Sequence, residues 1–134
     1  MTEFPGEWIA VVKRDCPTCK MIAGVFLELH KKDINVFVYS QDDPSFPEGL
    51  KDVIDDQELE ISWTLEIEIV PTLVKMKDGI PAERVVGWQR SEWRAFTGVE
   101  GLGANLPEFR PGCGSLSVEP GMPERLAIRF GGIK

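Results

Sequence analysis

Asp15-Cys16-Pro17-Thr18-Cys19-Lys20-Met21-Ile22-Ala23 places two cysteines three apart at a junction in the chain. Upstream lies an apolar run, Trp8-Ile9-Ala10-Val11-Val12, closed by Lys13-Arg14-Asp15. It reads as a short buried strand. Downstream, Met21, Ile22, Val25, Phe26 and Leu29 mark one face of a helix running from Pro17 to about Lys32. Pro17 suits the first helical turn, where its missing N–H is not needed. Cys16 therefore sits at the helix start. There the unpaired backbone N–H groups and the helix dipole favour a thiolate, with Cys19 one turn away. A low-pKa thiolate with a neighbouring thiol is the minimum required for disulfide exchange. Cys16, on the exposed side of that start, is expected to alkylate before Cys19.

Composition narrows the alternatives. The chain has 134 residues, 43% of them hydrophobic, enough for one domain with a core. A formal net charge of −7 argues against nucleic acid or an anionic membrane as partner. No apolar run is long enough to span a bilayer. The start, Met1-Thr2-Glu3-Phe4-Pro5-Gly6-Glu7, lacks the basic and apolar blocks of a signal peptide, so a reducing cytoplasmic compartment is expected. Three cysteines do not make a disulfide framework. A structural zinc site wants four Cys or His ligands, and only Cys113 and His30 remain to complete one. No metal and no cofactor is called for.

Further elements follow in order. Ile34 to Tyr39 reads as a second strand, parallel to the first with a right-handed crossover. Glu48 to about Leu65 carries a partial helical stripe. Thr72 to Lys77 is a third strand, Asp78-Gly79 a hairpin turn and Glu83 to Val86 a fourth strand. Ser91 is a candidate cap for a last helix that buries Trp93 and Phe96. Gly24 should soften the first helix. The order β-α-β-α-β-β-α defines an α/β class with a mixed sheet. From residue 98 onward the composition shifts, with eight glycines and four prolines in 98–134. The division expected is a domain over 1–98 and a Gly/Pro-rich extension over 99–134. That extension is too apolar for a solvated linker, so it should pack on the domain as an extended, turn-rich segment, with a short strand at Leu126 to Phe130.

The run from Cys16 to Ala23, together with Val70-Pro71-Thr72 downstream, resembles the thioredoxin superfamily. Gly79 and Gly87 match further glycines of that pattern, and the resemblance covers residues 8 to 98. It implies a minimal thioredoxin-like fold and a thiol–disulfide oxidoreductase acting on protein disulfides. Cys16 would be the nucleophile and Cys19 the resolving thiol. Pro17, Thr18, Val70 and Pro71 would be accessory residues, with a cis bond before Pro71 and the Val70 backbone offered to the substrate chain. The implied partners are a disulfide-bearing protein and an upstream thiol reductant such as a thioredoxin reductase or glutathione. A monomer or weak dimer is expected.

The departures from the family pattern leave a second reading open, a binding or redox-sensing module without general reductase activity. Asp15 stands where thioredoxins have tryptophan, and a carboxylate there should oppose the Cys16 thiolate. Ala10 stands where they bury an acid, and Phe37 where they place a lysine. Glutaredoxins share the proline of Cys-Pro-Thr-Cys, but their Gly-Gly pair is replaced by Gly87-Trp88-Gln89-Arg90. Glutathione would then have to be held through Arg90 or Lys13. Trp88 is either a rim for a partner or a core residue. Cys113, between Gly112 and Gly114, has three readings: a buried hydrophobe, a third redox thiol or a link between chains. Nothing in the sequence brings it to the other two cysteines, so the first is expected, with Cys113 staying reduced.

Overall fold

The computed structural model describes residues 4–131. The first three residues of the start read above lie outside the described residues. Strand β1 (Trp8–Val12) is the centre of a five-stranded mixed sheet. On one side it pairs in parallel with β2 (Val36–Ser40), which pairs with the short β3 (Ile54–Asp55). On the other it pairs antiparallel with β5 (Thr72–Lys77), which turns through Asp78-Gly79 into β6 (Ile80–Val86). Asp78 and Gly79 both have positive φ, the conformation a tight two-residue hairpin turn requires. With its helices, this sheet is a thioredoxin-like α/β core.

The first helix is broken. Helix α1 (Pro17–Met21) gives way to α2 (Ala23–Lys31) at Ile22, whose ψ of 7° leaves the helical range. The break thus falls two residues before Gly24, where softening was expected. Val25, Phe26 and Leu29 of α2 pack against the sheet with Ile9 and Val11. This burial of several large apolar side chains, each contributing about 1.5–3 kcal/mol, fixes the helix on the sheet.

The helix expected over Glu48 to Leu65 is only α3 (Glu60–Thr64). Asp52 and Leu59 take positive φ and interrupt it. The buried carboxylate of Asp56 accepts from the backbone N–H groups of Ile61 and Ser62 and so starts the helix late. Helix α4 (Arg90–Thr97) is capped by Gln89, whose side chain accepts from Glu92 N at 2.6 Å, rather than by Ser91.

The C-terminal residues hold more structure than the composition suggested. After α4 the chain packs Leu102 into the core and comes back along the domain. Strand β8 (Phe109–Arg110) pairs antiparallel with β7 (Trp88–Gln89). Strand β9 (Cys113–Gly114) pairs antiparallel with β4 (Ile69–Val70). The strand expected at Leu126 to Phe130 is instead part of helix α5 (Met122–Phe130), which lies against α3. Among the described residues, no helix is long and apolar enough to cross a membrane.

Candidate active site

The end of β1 delivers Cys16 to the head of α1. Its extended backbone (φ −156°, ψ 109°) makes it the cap residue, with Pro17 at the first helical position. The Cys16 sulfur accepts from the Cys19 N–H at 3.3 Å. Across the site, Cys16 Sγ lies 3.7 Å from the Val70 carbonyl oxygen, to which its thiol form donates. The Val70–Pro71 peptide bond is cis. Pro71 leads directly into β5, so β1, α1 and the start of β5 meet at this point.

Electrostatics separate the two thiols. Cys16 is lowered to about 5, first by the hydrogen bond from the Cys19 thiol, then by that from Cys113 and by the backbone N–H groups of Cys19 and Thr18, against the cost of burial. Burial pushes Cys19 strongly up, and its hydrogen bond to Cys16 pushes the same way. The backbone N–H of Lys13 acts on Cys19 in the opposite sense. That amide stabilises a Cys19 thiolate but cannot take its proton, so it does not stand in for the buried acid that Ala10 does not supply. Asp15 is exposed and is not among the leading influences on Cys16.

One expectation needs correction: Cys16 is not exposed, and both it and Cys19 are 0% accessible. Of the two readings of Trp88, the rim is ruled out and the core one holds. Trp88 is fully buried against Trp93, and its indole N–H donates to the Pro107 carbonyl at 2.8 Å.

The cover over Cys16 is the C-terminal segment, which sequence reasoning had left away from the site. The Thr18 hydroxyl donates to the Pro111 carbonyl at 2.6 Å. In the β4–β9 pair, Cys113 stands opposite Val70. The Lys13 ammonium donates to the Gly114 carbonyl at 2.8 Å. Cys113 is half-buried, and its thiol is among the groups that lower the pKa of Cys16. Burial, then Cys16, raises its pKa. Three thiols therefore form one cluster, where an isolated core cysteine was expected.

Beyond Gly114 the segment is fastened by a buried polar network. Gln41 Nε2 donates to Ser62 Oγ at 2.8 Å and to Ser115 Oγ at 2.7 Å. Gln41 Oε1 accepts from Leu116 N at 3.0 Å, and Ser117 Oγ donates to the Ile67 carbonyl at 2.9 Å. Ser62 Oγ donates to Asp56, whose carboxyl is raised mainly by burial. No buried side-chain N or O among the described residues lacks a partner. The one sequence signal for this arrangement was the pair of glycines flanking Cys113. A β-carbon on Gly112 would meet the Val70 carbonyl oxygen at 2.5 Å, so only glycine lets the two backbones approach. His30 lies elsewhere, its ring nitrogen 2.9 Å from the Val36 carbonyl. Among the described residues, no group of Cys, His, Asp and Glu could hold a metal.

No family model matches the sequence. Two curated relatives do. Thioredoxin H5 of Arabidopsis thaliana is 36% identical over 91 residues, which are 67% of this chain and 60% of the relative. Thioredoxin H3 of the same plant is 31% identical over 91 residues, with the same shares. The chain thus spans about 60% of the length of the curated relatives it matches. With a β-α-β-α-β-β-α core, a Cys-Pro-Thr-Cys motif at the head of its first helix and this identity over most of its length, the chain belongs to the thioredoxin superfamily.

Proposed function

We propose that the protein is a thiol–disulfide oxidoreductase with Cys16 as nucleophile and Cys19 as resolving thiol. The carrying observation is the placement of Cys16 as the cap of the first helix, accepting from Cys19 N–H at 3.3 Å beside the cis Val70–Pro71 bond, with its pKa lowered and that of Cys19 raised. The Cys16 thiolate attacks the disulfide of a partner protein, forms a mixed disulfide and releases one partner thiolate, which takes a proton from solvent. Cys19 then gives up its proton and attacks Cys16 Sγ. The second partner thiol leaves, and the Cys16–Cys19 disulfide remains. Two electrons pass from the pair to the partner. An upstream thiol reductant, a thioredoxin reductase or glutathione, restores the dithiol.

Val70 would offer its backbone to the partner chain, with Pro71 beside it and Pro17 and Thr18 shaping the helix head. The exchange body is residues 1–98, the extension is 99–134, and the setting is the cytoplasm. One observation favours the second reading, a redox-sensing or binding module: Cys16 is fully buried, with the extension bonded to the helix head beside it.

The test is trapping. Cys113 is replaced as well, so that it cannot release the partner. Cys19→Ser with Cys113→Ser should accumulate mixed disulfides with a disulfide-bearing protein, whereas Cys16→Ser with Cys113→Ser should trap none. Equal trapping by both would undo the assignment of roles.

A further inference from the structure

With β9 in place both sulfurs of the motif are covered, and both residues are 0% accessible, so a partner reaches Cys16 only when that strand is displaced. Cys113, the third cysteine of the cluster, is only half-buried and sits on β9, paired with β4. We propose that Cys113 is a third exchange thiol, which takes the disulfide over from the buried Cys16–Cys19 pair and presents it to the external reductant. The proposal rests on the exchange chemistry proposed above.

Geometry carries it. Strand β9 places Cys113 opposite Val70, whose carbonyl oxygen is 3.7 Å from Cys16 Sγ. The strand is fitted to that place by Gly112. It is tied down by Thr18 on one side and by Lys13 and the Gln41 network on the other. Cys113 is therefore held beside Cys16 by the fold.

The step balances without an outside oxidant. After turnover the chain holds a Cys16–Cys19 disulfide, its oxidising equivalents having come from the partner's disulfide. Cys113 loses its proton and attacks Cys16 Sγ. The Cys113–Cys16 bond forms, the Cys16–Cys19 bond breaks, and the Cys19 sulfur leaves with the electron pair and takes up a proton. An external dithiol then attacks Cys113 Sγ, which belongs to the one residue of the three that is not fully buried. Cys16 leaves as the thiolate, and it is the best leaving group of the three because it is the most acidic. The second thiol of the reductant releases Cys113. The reductant supplies two electrons and two protons, and the chain returns to three thiols.

The test uses the full chain and glutathione disulfide as oxidant, with acid quenching, alkylation and disulfide mapping by mass spectrometry. In the unaltered protein, Cys16–Cys19 and Cys16–Cys113 peptides are both expected. Cys19→Ser should pass from a Cys16–glutathione adduct to Cys16–Cys113, while Cys19→Ser with Cys113→Ser should retain the adduct. Oxidised Cys113→Ser should be reduced by dithiothreitol roughly tenfold more slowly than the oxidised parent. A stable Cys16–glutathione adduct beside a free Cys113 in Cys19→Ser would overturn the proposal and leave Cys16 as the nucleophile. So would equal reduction rates, or a Cys113–Cys113 peptide in place of Cys16–Cys113. If Cys16 enters no disulfide in any form, the exchange reading falls too. Should Cys19→Ser fail to fold, the map of the parent and the Cys113→Ser reduction rate decide.

Discussion

The hydroxyl of Thr18, inside the Cys-Pro-Thr-Cys motif, donates at 2.6 Å to the carbonyl of Pro111, 93 residues further along the chain. This bond joins the head of the first helix to the segment that covers it. Thr18→Val keeps the shape and removes the donor, which leaves the Pro111 carbonyl without that partner. The expected loss is about 1 kcal/mol in denaturant unfolding. Alkylation of Cys16 should also speed up as the cover loosens. Unchanged alkylation would mean that this bond does not hold the cover closed.

Gly112→Ala should act more strongly. The added carbon would meet Val70 O and Ile69 Cγ2 at 2.5 Å, so β9 has to move. Overpacking of this kind costs about 1–3 kcal/mol. If only the closed position of the strand bears that cost, Cys16 should alkylate roughly tenfold to a hundredfold faster. Hydrogen exchange of the Cys113 and Gly114 amides locates the change, and protection equal to the parent's would rule it out.

The pH dependence follows from the signs of the thiol shifts. The folded value of Cys16 lies below its ordinary 9.0, so its contribution to stability is complete above that value and is lost as pH falls through about 5. Cys19 and Cys113 are raised, so theirs is complete below the ordinary value and is lost as pH climbs above it. Thiolate ultraviolet absorbance of the reduced protein should therefore show an acid step near 5, absent in Cys16→Ser. A single step in the ordinary thiol range would contradict the shift.

Gln41→Leu should detach the segment from its other end. The amide is 1% exposed and serves Ser62, Ser115 and Leu116. Removing it leaves several buried groups short of partners, at about 1–3 kcal/mol each. Limited proteolysis should then cut between Pro111 and Glu119 well before it cuts the sheet. A parent-like digestion pattern would show that the network is dispensable.

What the sequence disclosed and what it hid differ in range. The central strands and the helix start were legible because Ile9-Ala10-Val11-Val12 is a continuous apolar run and Val25-Phe26-Leu29 a helical stripe, both local signals. The place of Cys113 was not, because β9 is set by pairing with Ile69 and Val70, and single-sequence periodicity says nothing about a partner so far away. Helix α5 was hidden differently. Leu126, Ile128 and Phe130 alternate with Ala127 and Arg129, which reads as a strand, yet only Leu126 is buried and Pro123 suits a first helical turn. The late start of α3 was written in Asp56, a capping residue lost inside an acidic run.

The pairing of Cys113 with Val70 also sets a threshold for partners. Any extended chain that docks along Ile69–Val70 must first evict a strand anchored at Thr18 and at Ser115. A segment tethered so closely competes at an effective concentration on the order of millimolar. Peptides that bind the groove only weakly therefore lose to the protein's own chain at any ordinary cellular concentration. Those that gain further contacts outside the groove can win, so selectivity rests less on the two cysteines than on what else a partner can hold.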